Sequence, residues 1–219
     1  MVVLRAGFNN PQKQEPPEKP ISKMTDKEKT EKIYECLDRL HQEHWSLKNF
    51  ITIREARCGN GYRYQNQRSF DYMAISTCEG NQVRGYEVKA SRTDFLKDIK
   101  DPEKQKALRC FVNLFYYVAP EGIIRKEELP PWAGLLEMYY NEGKYWINQA
   151  VGAPLQANFP PTWSFVAECI RNKSEQNARE LQKENKKLAE EVYKLSKELK
   201  EARLNLFILG RGKARNDKQ

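Results

Sequence analysis

Phe111-Val-Asn-Leu-Phe-Tyr-Tyr-Val-Ala119 is a nearly unbroken apolar run closed by Pro120-Glu-Gly122. A run of that length between turn residues reads as a central strand buried on both faces, and such a strand needs other layers over its sheet. That requirement points to an α/β domain, and the neighbouring sequence supplies the pieces. Residues 50–58, 70–77 and 83–90 read as strands, the first ended by Gly59-Asn60-Gly61 and the other two joined by a hairpin turn at Glu79-Gly80-Asn81-Gln82. Residues 134–140 and 144–148 form a further hairpin about Asn141-Glu142-Gly143. Thr25-Asp26 with Glu28 marks a helix start, and Ile33, Leu37, Leu40 and Trp45 recur at helical spacing over 26–46, a narrow stripe suited to lying on a sheet. Ser91 caps a second helix over 92–110, with a break at Asp101-Pro102. The order is α-β-β-β-α-β followed by an edge hairpin.

The flanks differ in character. Four prolines and few apolar groups between residues 9 and 25 make 1–25 a disordered leader, in keeping with a mean hydropathy of −0.85 that is low for a chain folded throughout. Residues 26–150 hold the α/β domain, and 151–172 are a linker and helix start after Pro154 and Pro160-Pro161. From Ala178 a heptad places Ala178, Asn185, Val192, Leu199 and Leu206 in one seam position and Leu181, Leu188, Leu195, Ala202 and Leu209 in the other. Valine at the first position, leucine at the second and one asparagine favour a two-stranded parallel coiled coil over 173–209, and hence a homodimer. The alternative is a helix that folds back on its own domain. Residues 210–219 are a basic tail.

The formal charge is +8, from 38 Lys+Arg against 30 Asp+Glu. Residues 171–219 carry +6 of it, which leaves the α/β domain near neutral and gives the arm sequence-independent, salt-sensitive affinity for nucleic acid. No apolar run is long enough to cross a membrane and no signal-peptide pattern opens the chain, so a cytoplasmic location and no membrane partner are expected. Five scattered cysteines without a C-x-x-C pair indicate neither a disulfide framework nor a zinc site. His41 and His44, the only histidines, read as packing or solvated residues.

Chemistry concentrates at Ser69-Phe-Asp71 and, after fifteen intervening residues, Glu87-Val-Lys89. In a strand Glu87 and Lys89 share one face, and Asp71 lies near the start of the antiparallel neighbour. Two carboxylates and an ammonium at one sheet edge are what a metal-activated water needs to hydrolyse a phosphodiester. The carboxylates suit Mg²⁺, and the lysine stabilises developing charge.

At these residues, and in Tyr86-Glu-Val-Lys-Ala-Ser-Arg-Thr-Asp-Phe-Leu-Lys-Asp-Ile-Lys100 followed by Phe111 to Pro120, the sequence resembles the PD-(D/E)xK restriction-endonuclease-like superfamily. Within it, the run is similar to the small MmcB-like DNA-repair and phage branch. The resemblance covers roughly residues 50 to 140 and implies an αβββαβ core with a mixed sheet. It further implies a nuclease acting on DNA, with RNA left open, in repair, phage metabolism or defence, using Mg²⁺ or Mn²⁺ in its place. It makes Asp71 and Glu87 metal ligands with the Val88 carbonyl, Lys89 the catalytic lysine, and Glu55 an additional carboxylate, with Glu35 as the alternative. Phe70 stands where the motif's name has proline. The competing expectation is an inactive nucleic-acid-binding or scaffold protein on the same fold.

Arg54, Arg57, Arg63 and Arg68, interleaved with Tyr62 and Tyr64, are candidates to grip phosphates. Arg92 and Gln105 join them, although the cations of 92–109 alternate with Asp94, Asp98, Asp101 and Glu103 in the manner of a solvated charged face. The aromatics between Phe111 and Trp146 read mainly as core, with Tyr139 or Tyr140 as an alternative stacking platform.

Overall fold

The computed structural model describes residues 20–42, 50–58, 68–78, 80–101, 106, 108–157 and 161–216, with 42, 58, 68 and 205–216 as backbone only. The strands are β1 (Phe50–Cys58), β2 (Arg68–Ser76), β3 (Val83–Val88), β4 (Leu114–Pro120), β5 (Gly134–Asn141) and β6 (Lys144–Val151). The α-helices are α1 (Asp26–Gln42), α2 (Arg92–Ile99) and α3 (Trp163–Asn216). The fold is α/β, with one mixed six-stranded sheet in the order β1-β2-β3-β4-β5-β6 and a long C-terminal helix. β2 runs antiparallel to both β1 and β3, β4 is parallel to both β3 and β5, and β6 closes the far edge antiparallel to β5.

The apolar run becomes β4, buried from Phe115 to Pro120. It starts at Leu114 rather than Phe111 because Asn113 anchors the turn before it. The Asn113 amide donates to the Val83 carbonyl at 2.8 Å, and its side-chain oxygen accepts from the Val83 amide at 2.9 Å. Tyr116 and Val118 face one layer, where they meet Tyr72, Tyr86, Val88 and the fully buried Ile33 and Leu37 of α1. Phe115, Tyr117 and Ala119 face the other, against Phe95 of α2 and Phe165 and Cys169 of α3. Each such buried side chain contributes about 2 kcal/mol. α1 starts with a reciprocal cap, in which the Glu28 amide donates to Thr25 Oγ1 at 3.2 Å and the Thr25 amide to Glu28 Oε2 at 2.8 Å.

Two expected boundaries move. Met24 is buried against the α1 cluster, so the leader's end belongs to the fold; residues 1–19 of the leader lie outside the described residues. The segment read as a linker also joins the domain. Gln156 bonds through its amide to the Asn113 carbonyl and through its side chain to the Trp132 carbonyl, both at 2.8 Å, and Phe165 stacks on Phe111 at 4.9 Å. α2 ends at Ile99, as the Asp101-Pro102 break requires, and Lys106, Leu108 and Arg109 are again helical.

α3 runs 54 residues, roughly 80 Å at ~1.5 Å per residue. Its base packs on β1, whereas every described side chain from Asn177 to Leu204 is exposed. The alternative of a helix folded back on its own domain is therefore not realised. No helix among the described residues is long and apolar enough to cross a membrane.

Candidate active site

In a regular strand, residues three apart face opposite sides of the sheet. Ile53 and Ala56 of β1 nevertheless lie in the same core cluster, and so do Phe70 and Met73 of β2. Both irregularities fall at one place. Glu55 adopts a left-handed backbone with φ of 50°, and the register passes from Arg54↔Tyr72 to Ala56↔Phe70 without pairing Glu55 to Asp71. Such a conformation is uncommon for a residue with a Cβ and marks a local break in the pleat.

The break sets up the neighbouring strand pair. β2 and β3 pair from Ile75↔Val83 to Tyr72↔Tyr86 and then part. Continued, the ladder would direct the Val88 amide at the Phe70 carbonyl. Instead Asp71 Oδ2 accepts it at 2.8 Å, so a carboxylate replaces a main-chain oxygen. On the other side of β3, the Lys89 amide donates to the Val118 carbonyl at 2.8 Å. Within a strand one residue's N–H and C=O point the same way, so the Val88 carbonyl is directed towards β2, into the gap that Asp71 occupies.

Glu87 and Lys89 lie on the α2 face of the sheet, 3% and 4% exposed. Lys89 Nζ stands 3.3 Å from Glu87 Oε2 and 3.4 Å from Asp98 Oδ2 of α2, and the Tyr117 hydroxyl of β4 donates to the same Asp98 oxygen at 3.2 Å. Burial, then the charges of Asp98 and Glu87, push the Tyr117 hydroxyl far above the usual tyrosine range, which keeps it a donor. Tyr34 on α1 is pushed up by burial first and then by Asp71 and Glu55, so those two carboxylates act on one side chain.

Asp98 corrects the reading of this helix as a wholly solvated charged face, because it is 5% exposed and is a partner of Lys89. Its signal in the sequence was its spacing of three from Phe95, which is fully buried. Tyr117, read as core, also supplies a polar contact.

The other candidates divide. Glu55 is exposed at the pleat break, and Glu35 is exposed in an ion pair with Lys32 at 2.8 Å. Arg54 is paired with Glu31 and Asp38 of α1, while its carbonyl accepts from the Gln176 side chain of α3. Arg92 is tied to Glu128 and to the Ile123 carbonyl. Arg57 is exposed beside Glu55 in a shallow polar recess with Asn172, Gln176 and Arg179. Arg63, Gln105 and the side chain of Arg68 lie outside the described residues, as do Tyr62, Tyr64, His44 and the side chains of the basic tail. His41 is a packing residue, 1% exposed and 2.8 Å from the Tyr86 hydroxyl, with burial pushing its pKa down to about 4. Tyr140 is exposed, while Phe115, Tyr116 and Tyr117 are core.

Among the described residues no group of three or more His, Cys, Asp or Glu side chains is arranged to hold a metal. The residues that the sequence nominates as ligands, Asp71, Glu87 and the Val88 carbonyl, offer two carboxylates and a main-chain carbonyl, of which Asp71 and the Val88 main chain meet at the gap. Hard oxygens in that number suit Mg²⁺, which keeps several waters and usually takes only one or two carboxylates from a protein. An apolar cavity of about 700 Å³ between β1, β2 and the base of α3 contains none of these residues.

No protein-family model and no curated protein matches the chain. Among solved structures, the SPO1766 protein of unknown function from Silicibacter pomeroyi is similar at 20% identity and a TM-score of 0.47, over 70% of this chain and 89% of that one.

Proposed function

We propose that the chain is a metal-dependent nuclease with a restriction-endonuclease-like core, hydrolysing phosphodiester bonds of DNA in the cytoplasm. In this reading a coiled-coil arm over 173–209 joins two copies. The observation that carries the chemistry is the parting of β2 from β3, where the Asp71 carboxylate and the Val88 main chain share one gap beside buried Glu87 and Lys89.

Asp71, Glu87 and the Val88 carbonyl are the groups that would hold Mg²⁺ or Mn²⁺. When bound, the cation supplies Lewis-acid polarisation of the phosphate and lowers the pKa of a coordinated water. The chain's own residues do the rest. Lys89 offers an ammonium to the phosphoryl oxygens, where charge grows in the transition state, and low local polarity strengthens that contact. Asp98, oriented by the Tyr117 hydroxyl, holds Lys89 in place when Glu87 turns to other partners. Asp71, Glu87, Asp98 and Lys89 together carry a formal charge of −2, which a divalent cation balances.

The test incubates the purified protein with single-stranded, double-stranded and branched DNA and with RNA, in Mg²⁺, Mn²⁺ or EDTA, beside Glu87→Ala and Lys89→Ala. Metal-dependent cleavage lost in both variants is the expected result. No cleavage of any substrate, or variants that cut as well as the parent, removes the catalytic reading. A binding-only scaffold is the second reading, favoured by the depth at which Lys89 is enclosed, and nucleic-acid affinity without cleavage is its signature.

A further inference from the structure

The α3 helix leaves the domain with an apolar stripe uncovered. Leu181, Leu188, Val192, Leu195 and Leu199, all seam positions of the heptad, are 51–64% exposed in the single chain. The positions flanking that stripe decide what covers it.

Beside the first seam position stand Glu184, Glu191 and Glu198, and beside the second stand Gln182, Ala189, Ser196 and Arg203. In a parallel pair, each glutamate meets the other chain's opposite flank five residues on. Glu184 then faces Ala189, Glu191 faces Ser196, and Glu198 faces Arg203, giving attraction and no like-charge contact. In an antiparallel pair like flanks meet. With Leu181 opposite Leu199, Glu184 faces Glu198 and Glu191 faces its own copy.

Asn185 decides the same way. Antiparallel pairing sets first-position residues against second-position ones, so Asn185 would lie against leucine or alanine in any register of this heptad. Only parallel, unshifted pairing puts Asn185 on Asn185, where two amides satisfy each other and fix register and number.

We propose that α3 pairs with α3 of a second copy of this chain, parallel and in register, which sets both candidate sites at the same end of the arm. The inference rests on the coiled-coil part of the functional reading and not on its chemistry, so loss of cleavage and loss of pairing are separate results.

The full chain should sediment at twice its own mass. Leu188→Glu with Leu195→Glu should sediment as a monomer with an unchanged thermal transition, because both positions are exposed in the single chain. A full chain that is monomeric at micromolar concentration overturns the pairing. For orientation, Cys78→Ser removes an exposed native thiol, and this parent should form no cross-link in a glutathione redox buffer. On that background Leu181→Cys should give a disulfide-linked dimer as its main species. A tagged Leu181→Cys chain mixed with Leu199→Cys should yield no 181–199 cross-link. If that mixed species dominates, the arm is antiparallel and the inference fails.

Discussion

Lys89→Met keeps an unbranched side chain one atom shorter and removes its charge. It leaves Glu87 and Asp98, 3% and 5% exposed, without the ammonium that stands 3.3 and 3.4 Å from them. Removing one partner of a buried charge pair costs about 3–5 kcal/mol, a large share of the ~5–15 kcal/mol by which a domain is stable. At roughly 2–4 °C per kcal/mol for a chain of this size, the melting temperature should fall by about 6–20 °C near neutral pH. The pH dependence follows from the same burial. A buried carboxylate without its cation protonates more readily in the folded state than in the unfolded one, so the deficit is full at high pH and shrinks as pH falls. Thermal melts followed by circular dichroism between about pH 5 and 8 read both effects. Adding Glu87→Gln and Asp98→Asn should restore most of the loss, since no buried charge is then left. A Lys89→Met protein that melts within about 2 °C of the parent near neutral pH, or whose deficit ignores pH, refutes the buried network.

Tyr117→Phe removes the hydroxyl bond to Asp98 and should cost about 1–3 kcal/mol in urea denaturation; a change below ~0.5 kcal/mol would show that Asp98 does not depend on it. Gly85→Ala places a Cβ 2.6 Å from the Phe70 ring, so it should destabilise by about 1–3 kcal/mol and, on the proposed nuclease reading, lower cleavage by shifting the residue before Asp71, and a variant as stable as the parent counts against that coupling. His41, held near 4 against an ordinary 6.5, contributes stability that is full above pH 6.5 and lost as pH falls through 4, roughly 3 kcal/mol in all. His41→Phe should flatten that part of the stability–pH curve, and an unchanged slope would assign it to other groups.

Several elements were legible because one local pattern decides each. The run from Phe111 to Ala119 had to be covered on both faces, and β4 lies between α1 on one side and α2 and α3 on the other. Thr25 and Glu28 carry their cap within four residues, and the turns at Gly80-Asn81 and Glu142-Gly143 carry the positive φ values that tight hairpins need. The pairing of Glu87 with Lys89 follows from alternation along one strand. What was hidden depends on contacts between distant segments. No glycine marks the break at Glu55, so nothing local signals that Asp71 will turn towards β3. Asp98 looked solvated because its counter-ion lies nine positions earlier and meets it only when α2 docks. Arg54 and Arg92 looked available for the same reason, since Glu31, Asp38 and Glu128 reach them only in the folded chain.

Lys89 has a consequence for how the domain comes to exist. Many metal sites are assembled by their ion, because carboxylates gathered without a cation repel one another and hold the chain open. Here the cation of the network is a residue of β3's own continuation, seated between Glu87 and Asp98. The fold therefore carries its own counter-ion from the moment of synthesis. Chelation should leave the melting transition in place, and any ion the site takes would join a finished structure instead of serving as scaffolding.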